Sequence, residues 1–293
     1  MERDGDVRAL WRQRDFRRYL FALAMSDLGN RMTIVALAFA VLDIRHTASA
    51  VGLVLGCGSV AFLVGLAVGG VLGDRFDRRR VMIACDLARL GTQGLTAALV
   101  FSGDARLWNL ALLAALTEFG TGVFNPVSQG LAQSVVEERY YRAAAGVRAM
   151  AISAGEMIGP VIGGLIVAAA SPAWGLAADA LTFACSAVAL SGIRVARRPR
   201  DTDEPEPSMF AQLVEGWAEF RARRWLWSAI LAGGTIQFVW GAWGVLGPVV
   251  ASNRLGGAAV WGAILTAMGA GAVVGATIAT RARPERPLLL FTL

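Results

Sequence analysis

Lysine is absent from this 293-residue chain, whose 28 basic residues are all arginine. That skew reads as coding bias rather than chemistry. Histidine occurs once, at His46, which excludes His-rich metal sites and any His-based triad not built on that residue. A lone loop histidine is most often just that. The three cysteines, Cys57, Cys85 and Cys185, each fall inside an apolar run. An odd count with no pairing pattern argues against a disulfide framework, and they read as small core hydrophobes. Charge is scarce as well. Only 17% of residues are charged and 56% are hydrophobic, with a mean hydropathy of +0.53, whereas soluble domains carry about a quarter charged residues. These values exclude a soluble globular domain and describe a polytopic membrane protein. The net charge of +6 would point to nucleic acid only if the arginines clustered on a soluble surface, but they cluster by loop. No nucleophile–base pair, nucleotide loop or metal-ligand set stands out, so no enzymatic activity, cofactor or metal is expected.

Long apolar runs take the place of the missing charge. The first extends from about Tyr19 to Leu42, and others lie near 49–72, 81–101, 108–135, 143–170, 173–193, 225–250 and 258–280. Each exceeds the ~20 residues needed to cross ~30 Å of hydrocarbon as a helix. The expected fold is therefore an all-α membrane bundle with eight complete helices. Ala22-Leu23-Ala24 comes too early in the first run to follow a signal h-region of about 7–15 residues, so this run is expected to stay attached. Twenty-two arginines lie in the N-terminus, the segments after helices 2, 4 and 6, and the tail after helix 8, against Arg45, Arg106 and Arg254 alone in the opposite loops. The positive-inside rule then predicts a cytoplasmic N-terminus.

One composition break interrupts this pattern, the charged and Pro-rich stretch 195–207, which reads as a domain linker. After it, Phe210, Leu213, Val214, Trp217 and Phe220 recur at helical spacing opposite Glu215, Glu219, Arg221 and Arg223. That pattern predicts an amphipathic helix over Met209 to Arg224 lying on the membrane interface. A constant offset of 206 residues maps Arg17 and Arg18 to Arg223 and Arg224, Gly56 to Gly262, Gly65 to Gly271, Gly69 to Gly275, Arg75 to Arg281 and Arg80 to Arg286. The chain thus reads as two parallel repeats. In the second copy Thr280 replaces Asp74, and Pro287 stands where a ninth helix would start.

Between the second and third runs lies Gly-Val-Leu-Gly-Asp-Arg-Phe-Asp-Arg-Arg-Arg, residues 70–80, too charged to lie in hydrocarbon. Its Gly70, Gly73, Asp74, Arg75, Asp77, Arg78 and Arg79 resemble the loop 2–3 signature of the major facilitator superfamily. In the fifth run Gly155, Gly159, Pro160, Gly163 and Gly164 resemble that superfamily's antiporter motif. Physically, glycines four apart give a small-residue face for close packing, and Pro160 frees a carbonyl and bends the helix. With Phe124-Asn125-Pro126 and the Asp86-to-Arg89 start of helix 3, the chain is most similar to the third group of drug/proton antiporters, which includes macrolide and siderophore exporters. The resemblance implies a major facilitator fold with a six-helix domain over 1–194, a linker with an amphipathic helix over 195–224, and a partial second domain over 225–293 holding helices 7 and 8 and the start of helix 9. It also implies a proton-coupled secondary transporter of the plasma (inner) membrane, exporting a small amphipathic molecule by alternating access. The partners implied are the substrate, protons and the bilayer, with no nucleic acid. A second expectation is a truncated membrane fragment that lacks helices 9–12 and does not transport. The resemblance further implies a gate at the loop, with Asp74 accepting hydrogen bonds from a helix of the second half and Arg75 and Arg78 pairing with acids such as Glu137 or Glu138. One departure is that better-known drug antiporters carry an Arg in the first half of helix 4, where this chain reads Leu-Thr-Glu118-Phe-Gly-Thr-Gly.

Ionisable residues inside the spans point to function independently of any family, since an unpaired charge at mid-membrane costs at least ~2.5–3.5 kcal/mol. Asp27 and Arg31 are one turn apart and read as an ion pair within one helix. Glu118 and Glu156 have no arginine neighbour on their own helices. Three acids thus face one base, and because desolvation disfavours the charged carboxylate, Glu156 or Glu118 is the expected carrier of the coupling proton. Asp179 is expected to reach water near the outer end of helix 6. Arg89 and Arg148 are expected to snorkel to the cytoplasmic side.

Overall fold

A chain crossing hydrocarbon must satisfy its backbone polar groups internally, and over its described residues this one does so by forming helices. The computed structural model describes residues 9–193 and 221–282. Eight long helices follow one another: α1 Arg14–Ile44, α2 Ala48–Arg75, α3 Arg78–Ser102, α4 Leu107–Ser134, α5 Tyr141–Ala169, α6 Pro172–Ser191, α7 Arg224–Val250 and α8 Ala258–Ala282. A 3₁₀ turn, Glu138–Tyr140, leads into α5, and a π-helical turn, Ala251–Leu255, closes α7. The eight expected spans match these helices. The expected linker at 195–207, most of the amphipathic helix that was to follow it, and the start of a ninth helix at Pro287 lie outside the described residues.

Among the described residues, six stretches are long and apolar enough to cross a membrane, in α1, α2, α4, α5, α6 and over Gly233–Leu255. The shortfall in α3 has a structural cause. Its buried side is Met82, Cys85, Asp86, Arg89, Gln93, Thr96 and Ala97, so the polar residues point inward, while Leu87 and Leu95 point outward and are exposed. Such an inverted helix scores low on hydropathy yet presents an apolar surface to lipid. The same outward apolar face appears at Leu63 on α2, Leu112 on α4 and Leu181 and Val188 on α6.

Small residues set the crossings. α2 pairs with α4 along Gly58, Gly65, Gly69 and Gly73. A Cβ on Gly69 would lie 2.6 Å from the Val123 carbonyl and 2.8 Å from Pro126, and one on Gly73 would lie 3.3 Å from Val127. Spacings of 7, 4 and 4 keep these glycines on one face of the helix, so the two backbones approach as in other small-xxx-small pairs. Gly271, the repeat counterpart of Gly65, has no neighbour of that kind within 4 Å. α1 packs between α5 and α6, and α3 between α4 and α6. α8 lies against α5, where Gly164 and Gly262 meet backbone to backbone, with a Cβ on Gly164 only 2.8 Å from the Gly262 Cα. The α7–α8 turn needs Gly256 and Gly257, whose φ values of 97° and 84° are left-handed.

The α2–α3 turn is short because Asp77 begins α3 as its N-cap, its carboxylate accepting the Arg80 backbone N–H at 2.9 Å. Asp77→Ala is expected to lower stability by about 1 kcal/mol, read as a drop in the thermal midpoint of the detergent-solubilised protein. Asp77→Asn keeps the cap and should restore most of it.

Candidate functional site

The seam between α1 and α5 is built by the glycines of the fifth span. A Cβ on Gly155 would collide with the Asp27 carboxylate. One on Gly159 would strike the Arg31 Cβ and lie 3.0 Å from the Leu28 carbonyl, and one on Gly163 would lie 2.7 Å from the Met32 carbonyl. Because 155, 159 and 163 share one helical face, α1 rests directly on the α5 backbone. Gly164, one position on, faces α8 instead. Pro160 is accommodated inside the helix.

This close approach brings three charged side chains together. The Arg31 Nη2 donates to the Glu156 Oε1 at 2.8 Å, and its Nε lies 3.6 Å from the Asp27 Oδ1. The expected pairing within α1 therefore exists, but the nearer partner of Arg31 comes from another helix. Side-chain exposure rises from 17% at Asp27 through 33% at Arg31 to 50% at Glu156, so Glu156 is the member open to the surroundings. The Asp27 Oδ2 is buried without a hydrogen bond. Glu118 does not join this cluster. It is half-buried on α4, its Cγ lying against Gly58 of α2.

A second polar group, missed at the level of sequence, fills the centre of the first six helices. Arg89 does not snorkel: it is 0% exposed, ion-paired to an equally buried Asp86, and held between the rings of Phe124 and Phe183 at 4.5 and 4.3 Å. Ser186 donates to the other Asp86 oxygen at 2.6 Å. Arg89 also lies against Gly120, so a guanidinium from α3 stands beside the part of α4 that has no arginine of its own. Nor does Asp179 reach water. It is 0% exposed and accepts from Thr33 at 2.6 Å, and Thr33 accepts in turn from Gln93 at 2.7 Å. Thr92 and Thr117 add a link between α3 and α4 at 2.7 Å. The 3-4-3 spacing of Asp86, Arg89, Gln93 and Thr96 was the available signal, since it puts four polar groups on one helical face. Arg148 is half-buried and donates to the Tyr19 hydroxyl at 3.2 Å.

The 70–80 turn is more tightly integrated into its own half than expected. Arg78 does not pair with Glu137 or Glu138. It donates to the Gly73 carbonyl at 3.2 Å and the Gly130 carbonyl at 3.0 Å, joining the C-terminal ends of α2 and α4, and lies 3.9 Å from Asp74. Glu137 is instead paired with Arg139. Arg79 donates to the last carbonyls of α6, Leu190 at 3.0 Å and Ser191, and Arg18 donates to Gly192. Two cations thus meet the negative end of the α6 dipole. Asp74 and Arg75 are exposed. Gly70 has open space where its Cβ would be, so its lack of a side chain serves no packing here.

A helical bundle with an apolar exterior, glycine-cut crossings and buried charge is a multi-pass membrane protein. Residues 19–293 match the Major Facilitator Superfamily, and the chain belongs to that family. It is 31% identical over 207 residues to the multidrug efflux pump Tap of Mycolicibacterium fortuitum, an alignment covering 67% of this chain and 50% of Tap. It is 29% identical over 285 residues to the enterobactin exporter EntS of Shigella flexneri, covering 95% of this chain and 66% of EntS. The chain thus spans between half and two thirds of the length of these relatives. Among solved structures, a bacterial homologue of the human lysosomal transporter Spinster, in an inward-facing and unoccupied conformation, superposes with a TM-score of 0.65 at 14% identity, over 97% of this chain and 64% of that one. The D-xylose–proton symporter gives 0.59 at 14% identity, over 90% and 68%. At that identity they support the fold alone.

Proposed function

We propose that this protein is a proton-coupled secondary transporter that exports a small amphipathic molecule, and that Glu156 and Arg31 form its proton-sensitive contact. The observation that carries this reading is the Arg31 bridge between Asp27 and Glu156, laid directly over Gly155 and Gly159 of the antiporter-like motif. Two carboxylates share one guanidinium there, and the more exposed of them is the closer partner. A proton arriving at Glu156 removes its charge, dissolves its pair with Arg31 and leaves Arg31 to Asp27. Since α1 and α5 touch through backbone at this level, losing the pair loosens the seam on which their relative tilt depends. Glu118, half-buried with no ion-pair partner among the described residues, is the second carboxyl available for proton traffic. The similarity to the multidrug efflux pump Tap and the enterobactin exporter EntS favours export as the direction. We assign the arginine-rich end to the cytoplasm of a bacterial inner membrane, and the helices to a six-helix domain over 1–194 and a second domain from 225, joined by 195–224. In this reading Gly73, Asp77, Arg78 and Arg79 brace the first domain, and Asp74 and Arg75 are the exposed part of the turn that meets the second.

The test is export from proteoliposomes under an imposed pH gradient, with a panel of dyes, macrolides and a catecholate siderophore. Glu156→Gln combined with Glu118→Gln is expected to reduce pH-driven export about tenfold or more, the effect of about 1.4 kcal/mol on a barrier, while exchange without a gradient persists. Export that retains its full pH dependence in the double variant would overturn the assignment.

A further inference from the structure

Asp179 plays no part in the contact just described, and its surroundings suit a carboxylic acid better than a carboxylate. Its side chain is 0% exposed, shut in by the protein itself. No cation lies within ion-pair distance of it among the described residues. The nearest buried guanidinium, Arg89 on α3, is committed to Asp86, and Arg31 on α1 to Glu156 and Asp27. Two charged groups act on it through their fields, Arg89 on α3, which favours a carboxylate, and Glu118 on α4, which opposes one. The direct contacts open to a full negative charge there are hydroxyls alone. Thr33 is 2.6 Å from Oδ2. The Thr182 hydroxyl is nearer the Asp179 backbone carbonyl, at 2.7 Å, than Oδ1, at 3.3 Å, and it has one proton to give. A buried carboxylate with a single good donor and no counter-ion is poorly compensated.

The protonated form fits the same distances without a buried charge. An acid O–H on Oδ2 donates to the Thr33 Oγ1 across 2.6 Å, a normal O–H···O length. The Gln93 Nε2 donates to the same oxygen at 2.7 Å, so both Thr33 lone pairs are used. Gly29 makes the approach possible, because a side chain there would run into the Asp179 Oδ1 and the Thr182 Oγ1. We propose that Asp179 is a proton-binding site, occupied in this conformation, whose proton closes a three-helix clasp of Gln93 on α3, Thr33 on α1 and Asp179 on α6. Loss of that proton to water reverses the Thr33 hydroxyl, which then donates to the carboxylate and leaves the clasp with an uncompensated buried charge. The site is a property of the first six helices and does not depend on the transport reading given above.

Infrared spectroscopy of the protein in lipid nanodiscs, over a pH series in H₂O and D₂O, tests this directly. The wild type is expected to show a carboxylic acid C=O stretch at neutral pH, shifted by deuteration, which is lost in Asp179→Asn and retained in Glu156→Gln and Glu118→Gln. Thr33→Val removes the acceptor while keeping the shape, and should move the band to higher frequency. A band that survives Asp179→Asn, or a wild type without one at any pH at which the protein stays folded, overturns the proposal. Should the Asn variant fail to fold, Thr33→Val decides, and an unmoved band counts against it.

Discussion

Arg89→Ala is expected to destabilise the protein by about 3–5 kcal/mol, the range for removing one member of a buried ion pair. Against a total stability of about 5–15 kcal/mol, that brings the chain close to failing to fold. The size follows from what remains behind. Asp86 is 0% exposed and would keep one hydroxyl, Ser186 at 2.6 Å, but no counter-charge. Phe124 and Phe183, which now cover the guanidinium at 4.5 and 4.3 Å, would face a void. Two Arg89 nitrogens, Nε and Nη1, have no hydrogen-bond partner, so the pair itself is an imperfect bargain for stability and its removal as a unit should be milder. Arg89→Met with Asp86→Leu is accordingly expected to recover most of the loss. Thermal midpoints by fluorescence-detected size exclusion in detergent would measure both. A stable Arg89→Ala protein would mean that Asp86 finds water or another cation that the present arrangement does not offer.

How far the fold could be read beforehand depends on whether the signal was local. The eight helices were legible because length and hydropathy are properties of a continuous stretch, and the glycine face of α5 because a spacing of four defines one side of a helix. Arg31 and Glu156 could be singled out as costly, but not paired, since 125 residues separate them and only the glycine-lined crossing brings them together. Arg89 illustrates the opposite error. Its distance from the end of the span suggested a route to water, but the two phenylalanines that receive it come from α4 and α6 and leave no signature near Arg89. The arginines of the 70–80 turn mislead in a similar way. The family resemblance implies pairing of Arg75 and Arg78 with acids, whereas Arg78 and Arg79 donate to backbone carbonyls at helix ends, acceptors that every helix has and no sequence pattern marks.

Gly163→Leu should be the most damaging single change on the α1–α5 seam. A Cβ at this position lies 2.7 Å from the Met32 carbonyl oxygen and 2.9 Å from the Met32 Cα, and backbone atoms cannot rotate aside as a side chain can. Overpacking costs about 1–3 kcal/mol where side chains can adjust, so the expected loss is at the top of that range or above it. Gly146→Leu is the matching control. It sits on the same helix with nothing within 4 Å of its Cβ, and exchanging a helical glycine for a better helix former should leave stability unchanged or raise it by about 0.5–1 kcal/mol. The comparison separates two roles for the motif glycines. If they serve only to let α1 and α5 touch, Gly163→Leu lowers the melting temperature and the lost Arg31–Glu156 geometry follows from the displaced helix. A cysteine pair placed across the seam, Arg31→Cys with Glu156→Cys, would then cross-link readily when position 163 keeps its glycine and poorly when Gly163→Leu is added. Unchanged melting and unchanged cross-linking would mean that α1 does not rest on α5 at Gly163, and the charge cluster above it would need a different foundation.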